Sequence, residues 1–274
     1  MIHFRQRVEI MKIVTWNVNS IRVRNPHVKQ LIEKRKPQIL CLQEIKAQDD
    51  TFICDNDRLT ETSVNGQPAY NGVATLSKVK QFDVAINPFD RKLGSRVIAS
   101  TISNIRVINI YVPNGGKDDE AYEAKLEWLA QLLAYVAEQK RKYKNVVLTG
   151  DFNICPSDRD VHNPKAWKDM VTCTVPERAA FSALINLGFA DAFDLVRDPK
   201  NPEKTGGKYT WWDYRSGSFY RDKGLRIDHA LVSTPLAPHV DRCEVLSHYR
   251  GLTRPSDHAP LLLRLSKDVF NPPF

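Results

Sequence analysis

The stretch NVVLTGDFN (145–153) joins an apolar run to a carboxylate and an amide. Val146, Val147 and Leu148 are strand formers flanked by polar residues, which predicts a strand over 145–150. Asp151 and Asn153 follow two positions apart, so in extended backbone their side chains leave on the same side. The same construction recurs along the chain. KIVTWNV (12–18) carries Asn17 and runs on to Asn19, and QILCLQ (38–43) runs into Glu44. IDHALVS (227–233) holds Asp228 inside an apolar run, and HAPLLLRL (258–265) opens at His258, directly after Asp257. GVATLS (72–77), RVIASTI (96–102) and NIRVINIYV (104–112) read as further strands.

Helices interrupt these strands. In HVKQLIEKR, Val28, Leu31 and Ile32 fall on one face. The longest candidate, 118–142, opens on Asp118, Asp119 and Glu120, which suit a helix N-terminus. It carries Tyr122, Leu126, Leu129, Leu133 and Val136 at spacings of three and four, and KRKYK (140–144) closes it as cations facing water. PERAAFSALINLG (176–188) has Pro176 near its first turn and stops at Gly188. No internal repeat, low-complexity tract or interdomain linker is visible. Many strands with few helices predict an α+β protein of two packed sheets with helices outside, as one domain over 11–266. Residues 1–10, before the strand-like segment that opens at Met11, read as an N-terminal extension or alternative start, and 267–274 as a C-terminal tail.

Composition sets the outer bounds. Of 274 residues 42% are hydrophobic and 26% charged, ordinary globular values that exclude general disorder. The 40 Lys+Arg against 32 Asp+Glu give a net charge of +8, a weak pointer to a polyanionic partner. No apolar run approaches the roughly 20 residues that span a bilayer, and MIHFRQRVEI lacks the apolar core of a secretory signal. The five cysteines (Cys41, Cys54, Cys155, Cys173, Cys243) are scattered, odd in number and without a CxxC, which fits a reducing compartment and argues against both a disulfide framework and a cysteine zinc site. A cytoplasmic, bacterial protein is expected.

A carboxylate joined to a buried strand is costly unless it is paired or binds a cation. One such residue would be a cap or a turn; five strand segments each carrying a carboxylate or an amide could converge on one sheet edge as a hard-oxygen metal site. Oxygen ligands with one histidine favour Mg²⁺ or Mn²⁺ over zinc. Pattern alone therefore points to a metal-assisted phosphoester hydrolase and leaves the ligands open.

KIVTWNVNSIR, LCLQEIK, GVATLSK, NIYVPNGG, LTGDFNICP, the PERAAF helix, YTWWDYRSG, GLRIDHALVS and RPSDHAPLLL stand in the order found in the exonuclease III and apurinic endonuclease family, which the chain resembles over roughly 11–266. LQE, GDFN and SDH alone would mark only the wider endonuclease–exonuclease–phosphatase superfamily. YVPNGG, DVHNPK, TWWDYRSG and GLRIDH narrow the resemblance to its DNA-repair branch. At Asn114 the chain departs from bacterial members that carry Gln and looks closer to the animal apurinic endonucleases. The resemblance implies a DNase I-like four-layer α/β-sandwich with two mostly antiparallel sheets flanked by helices.

It also implies roles, residue by residue. Glu44 resembles the main Mg²⁺ ligand, with Asn17, Asn19 and Asp257 close to the metal and Mn²⁺ as a substitute. Asp151 resembles the group that orients or deprotonates the attacking water, and Asn153 the amide that helps hold it. His258, paired with Asp228, and Tyr111 would lie against the scissile phosphate. Asn114 and Asn163 match DNA-backbone contacts, and Lys46 a basic residue beside the carboxylates. Trp211, Leu225 and Ile227 correspond to an apolar pocket for a flipped-out abasic sugar. Arg215, Arg221, Lys223, Arg226, Arg250 and Arg254 are expected to grip duplex DNA through its phosphates.

Each position has a plainer explanation. Asn17 or Asn19 would serve a turn, Tyr111 would pack, and Asn163 would shape its loop. Trp212 is expected to be buried, Cys173 to fill space, and His162, His229, His239 and His248 to be structural. The function implied is a Mg²⁺-dependent, monomeric nuclease that cuts double-stranded DNA 5′ to abasic sites and trims 3′ ends. A dedicated 3′–5′ exonuclease, a phosphatase on small phosphorylated substrates and a non-catalytic DNA-binding homologue are the alternatives.

Overall fold

The structure, a computed structural model, describes residues 10–89, 92–198 and 207–266. The expected extension (but for Ile10) and the tail at 267–274 lie outside the described residues. The first part of the chain forms β1 (Met11–Asn17), α1 (Ile21–Arg35), β2 (Ile39–Gln43), β3 (Glu61–Asn65), β4 (Val73–Ser77), β5 (Phe82–Ile86) and β6 (Val97–Ile102). The second forms β7 (Ile105–Tyr111), α2 (Asp119–Lys142), β8 (Val146–Asp151), α3 (Pro164–Trp167), α4 (Val175–Asn186), β9 (Phe189–Asp191), α5 (Ala192–Val196), β10 (Asp228–Ser233), β11 (Val240–Val245) and β12 (Leu261–Leu265).

The strands build two sheets of six, β11–β12–β1–β2–β4–β3 and β5–β6–β7–β8–β10–β9. Each has one parallel pair at its centre, β1 with β2 and β7 with β8, and α1 and α2 are the crossovers such pairs need. All other pairings are antiparallel. The two sheets share one plan, β–α–β then two more strands, although the sequence shows no repeat.

Side chains alternate across each strand, so every sheet has two faces to cover. Ile13, Ile39, Cys41, Ile105, Val107, Val147 and Val232 meet between the sheets. On the outer face of the first sheet, Val14, Trp16, Leu40 and Leu42 pack on Val28, Leu31 and Ile32 of α1. On that of the second, Ile108, Ile110 and Leu148 pack on Trp128, Leu132 and Val136 of α2 and on Phe181 and Leu184 of α4. The result is the expected four layers. The buried face of α2 is rotated from the one read in the sequence: Lys125, Trp128, Leu129, Leu132, Val136 and Gln139 point inward, while Tyr122, Leu126 and Leu133 are only half-buried. Lys140 does not simply face water, because its ammonium donates to the carbonyls of Leu187 (2.6 Å) and Gly188 (2.8 Å).

Between the sheets the filling changes along the strands. Toward the C-terminal ends of the parallel pairs, apolar residues give way to buried Thr15, Gln43, Asn109 and Thr149, and then to Asn17 and Asp151. Gln43 Nε2 donates to Thr15 Oγ1 (2.9 Å) and Asn109 Oδ1 (2.7 Å), and Asn109 Nδ2 donates to the Ala74 carbonyl (2.9 Å), which ties the sheets together. This polar layer is the floor of the site. Among the described residues no helix is long and apolar enough to cross a membrane.

Candidate active site

Strands β1, β2, β7 and β8 end at one edge of the sandwich, where antiparallel β10 and the segment before β12 begin. Asp228 is the ladder partner of Asp151, and Tyr111 is also opposite Asp151. The side-chain amide of Asn17 spans the sheets, donating to Glu44 Oε1 (2.9 Å) and Asp151 Oδ2 (3.0 Å). Tyr111 donates its hydroxyl to the same Glu44 oxygen at 2.9 Å, and the Arg96 guanidinium stacks 4.6 Å from the Tyr111 ring centroid. Burial, then Glu44 and Asp151, push the Tyr111 pKa well above its ordinary value, so its hydroxyl stays a donor. Glu44 Oε2 meets Lys46 at 3.0 Å; Lys46 also donates to Asn19 Oδ1 at 2.7 Å, and Asn19 Nδ2 to Asp257 Oδ1 at 3.0 Å.

The second group carries protons. His258 Nδ1 lies 2.8 Å from Asp228 Oδ2, and its Nε2 lies 3.8 Å from Asp151 Oδ2. Burial of His258 opposes its charge, but Asp228 and Asp151 outweigh it and raise the pKa to about 10. Asp151 moves the other way from an ordinary carboxylate: burial, helped by Asp228 and opposed by His258, lifts it to about 7. Its Oδ1 accepts from the Asn153 backbone at 2.9 Å, and Asn153 Nδ2 donates to the Val112 carbonyl at 2.9 Å. Asp257 is held below its usual range: burial alone would raise it, but His258 and hydrogen bonds from Trp211 and Asn19 prevail.

These groups open onto a cavity of about 410 Å³ lined by Glu44, Tyr111, Asn114, Asp151, Asn153, Asp257 and His258 on the polar side. Trp167, Met170, Val171, Trp211, Leu225 and Ile227 line the apolar side. Trp211 reaches both, because its indole Nε1 donates to Asp257 Oδ2 at 3.0 Å. Two groupings of side chains could hold a metal ion. Asp151, Asp228 and His258 bring ligand atoms within 4.8 Å of one another, but an imidazolium paired with Asp228 repels a cation. Glu44 and Asp257 offer half-buried carboxylate oxygens that fit a hard divalent ion, and Asn17 and Asn19 turn their amide nitrogens to these carboxylates and so position them.

The model of the endonuclease/exonuclease/phosphatase family matches residues 14–258. An exodeoxyribonuclease III from Haemophilus influenzae is 32% identical, over 92% of this chain and 98% of that protein. The chain belongs to this family, in its exonuclease III and apurinic endonuclease branch. Among solved structures, a 3′–5′ exonuclease from Neisseria meningitidis superposes with a TM-score of 0.85 at 40% identity, covering 93% of this chain and 100% of the other. An apurinic endonuclease from Archaeoglobus fulgidus gives 0.83 at 34% identity, covering 93% and 99%. The family is hydrolytic, and the chain is an enzyme of it.

Within this exonuclease III-type chain, Asn163 is set apart from the other residues singled out. It is exposed and its side chain caps α3, accepting from the Ala166 backbone at 3.3 Å, while Trp167 of the same short helix reaches the cavity. Two of the expected DNA-gripping arginines are buried instead. Arg226 donates to Asp160 (2.8 Å) and Asp191 (2.6 Å), and Arg250 lies over the Tyr214 and Phe219 rings and donates to the Trp212 carbonyl at 3.2 Å. Arg215, Arg221, Lys223 and Arg254 are exposed. Trp212 is buried, as expected, and Trp211 half-buried; Cys173 and Cys155 pack in one cluster with Leu225 and Ile227. Sequence reasoning missed Ser256, whose hydroxyl donates to the Asn17 carbonyl (2.7 Å) and accepts from the His258 backbone (3.2 Å). It also missed Thr210, whose hydroxyl accepts from the backbone of Ile227 and Asp228, both at 3.0 Å. Ser256 sits inside the SDH run and was within reach; Thr210 carries no local signal.

Proposed function

We propose that the protein is a Mg²⁺-dependent DNA-repair phosphodiesterase that incises duplex DNA 5′ to abasic sites and removes nucleotides or blocking groups from 3′ ends. The observation that carries this reading is the Asp228–His258–Asp151 array beside the Glu44 carboxylate, opening on a cavity with one polar and one apolar wall. Asp151, whose burial lifts its pKa to about 7, takes the proton of the attacking water, and Asn153 holds that carboxylate. His258, fixed by Asp228, donates from Nε2 to a phosphoryl oxygen, where charge builds up in the transition state. Tyr111 offers its hydroxyl to the same phosphate, and Asn114 offers its amide.

Glu44, with Asn17, Asn19 and Asp257, would hold Mg²⁺ or Mn²⁺, which neutralises charge on the phosphoryl group and the leaving 3′ oxygen. Trp211, Leu225 and Ile227 form a wall against which a sugar without a base fits, and unstacking is cheapest at such a damaged site. Exposed Arg215, Arg221, Lys223 and Arg254 supply the phosphate grip. Asn163 is assigned to the substrate side through its loop. A monomer in a bacterial cytoplasm completes the reading.

A second reading, a dedicated 3′-end nuclease, is favoured by the likeness to the Neisseria exonuclease. Two labelled duplexes separate them, one with an internal abasic analogue and one with a recessed normal 3′ end, each with Mg²⁺ and with EDTA. Mg²⁺-dependent incision of the first is the expected result. Trimming of the second alone would establish the 3′-end reading, and neither activity in folded protein would overturn both.

A further inference from the structure

Lys125 begins the buried face of α2 at its N-terminal end, and Glu177 meets it from α4; neither side chain has exposed surface. An ion pair taken this far from water recovers little stability from its own attraction. The remaining contacts of Lys125, and those of one Glu177 oxygen, lead to the cavity. The Lys125 ammonium donates to the main-chain carbonyls of Asn153 (2.9 Å) and Asn114 (3.1 Å) as well as to Glu177 Oε1, which uses all three of its protons. Glu177 divides its oxygens. Oε2 accepts from the Thr174 backbone (3.0 Å) and hydroxyl (2.7 Å), the ordinary capping box of α4, whereas Oε1 takes Lys125 and the Thr172 backbone (2.9 Å).

Capping therefore explains one oxygen only. The other, through Lys125, joins three segments whose residues Asn114, Asn153 and Thr172 all line the cavity. Two of these need holding: Asn153 has φ 49° and Thr172, a β-branched residue, φ 87°. Gly115 is wrapped so closely on Lys125 that a β-carbon there would come within 2.8 Å of its Cδ. The same two residues whose carbonyls the ammonium holds also meet through their side chains, Asn114 Nδ2 donating to Asn153 Oδ1 at 3.3 Å.

We propose that Lys125 and Glu177 are positioning residues for phosphodiester hydrolysis, clamping the main chain of Asn114, Asn153 and Thr172 so that the Asn153 amide and Asp151 face the phosphate. This rests on the phosphodiesterase reading above. The pair acts through Asn153 and touches no substrate.

Lys125→Met alone leaves the Glu177 charge buried and unpaired, and its melting temperature falls. Lys125→Met with Glu177→Gln removes that charge, and the fold recovers. The double variant is expected to bind duplex DNA like the parent but to cut it about 100-fold more slowly under single turnover, the cost of a misplaced catalytic group. Adding Asn153→Ala to it should lower the rate no further than Asn153→Ala does in the parent. Backbone hydrogen exchange at 153–155 and 172–174 should quicken while the central strands are unchanged. Parental turnover in the double variant, or multiplied losses with Asn153→Ala, overturns the proposal. If the parent cuts no DNA, the functional reading falls, and the exchange result decides the clamp: faster exchange supports it and unchanged exchange overturns it.

Discussion

Asp228 stands directly opposite Asp151 in the β8–β10 ladder, and His258 is set between the two carboxylates at unequal distances, 2.8 Å from one and 3.8 Å from the other. The closer carboxylate stabilises the imidazolium and fixes which ring nitrogen faces the cavity. The farther one is left buried with a pKa near 7, where it can exchange a proton with water. Two aspartates in register thus have different chemistry because one has an imidazolium as its immediate partner.

A pH dependence follows. Asp151 must be ionised to accept a proton, so the rate should rise as pH passes through about 7. His258 must be charged to support the phosphate, so the rate should fall as pH approaches about 10. Asp228→Asn removes the largest support for the imidazolium and should move the alkaline limb to lower pH. Asp151→Asn should lower the rate by about 10³-fold. Single-turnover pH–rate profiles check all of this, and a profile with no acid limb at or below 7 would remove Asp151 as the base. With a cation bound at Glu44, the acid limb should shift down, since positive charge favours the carboxylate.

Lys46 and a metal ion compete for the same oxygen. Its ammonium is 3.0 Å from Glu44 Oε2, so a divalent cation on Glu44 must displace it or share the carboxylate. Lys46→Met should therefore tighten Mg²⁺ binding several-fold, because a like charge has left the site. Glu44→Gln should weaken it and make turnover depend on much higher metal concentrations. Titration calorimetry on the DNA-free protein reads both, and weaker binding by Lys46→Met would place the cation elsewhere.

What could be read from the sequence follows from where each residue's partners lie. Asp151, Glu44, Asp228 and His258 were legible because each interrupts or ends an apolar strand, a local conflict that needs a reason. The eight strands anticipated are the inner ones; β3, β5, β9 and β11, the four sheet edges, were not. Edge strands such as ETSVN and VDRCEV carry polar and charged residues because one side is unpaired, which erases the apolar signal. Lys125 was passed over because a lysine is assumed to face water, though Trp128, Leu132 and Val136 share its face. Arg226 and Arg250 were misassigned because Asp160, Asp191 and the Tyr214 and Phe219 rings come from other segments.

The Arg226 network should matter for stability. Arg226 is bonded to Asp160 and Asp191, and His229 Nδ1 lies 3.0 Å from its Nη1, all of them buried. Arg226→Met leaves two carboxylates without their cation and should cost about 3–5 kcal/mol at neutral pH. Burial would raise the Asp191 pKa, but Arg226 and His229 hold it well below 3.8. A depressed carboxylate stabilises the fold above its unfolded pKa, and that contribution is lost as pH falls toward its folded value. In the variant the carboxylates have raised pKa values, so acid relieves them instead. The stability gap measured by urea unfolding should narrow from pH 7 to pH 4, and a gap that widens would contradict the assignment.

Trp211 gives the two walls of the cavity a shared element. Its ring belongs to the apolar side with Leu225 and Ile227, while its indole nitrogen holds Asp257, which in turn takes Asn19. Two substitutions separate these contributions. Trp211→Phe keeps an aromatic wall and loses the hydrogen bond, so abasic-site selectivity should persist while more Mg²⁺ is needed, since Asp257 is no longer tethered. Trp211→Ala loses both, and discrimination between abasic and intact duplexes should fall by about 10-fold or more, the usual worth of apolar contact in a specificity pocket. Incision rates on the two duplexes across a Mg²⁺ titration measure each effect. If Trp211→Phe loses selectivity as fully as Trp211→Ala, the bond to Asp257 rather than the apolar wall would be what recognises the damaged sugar.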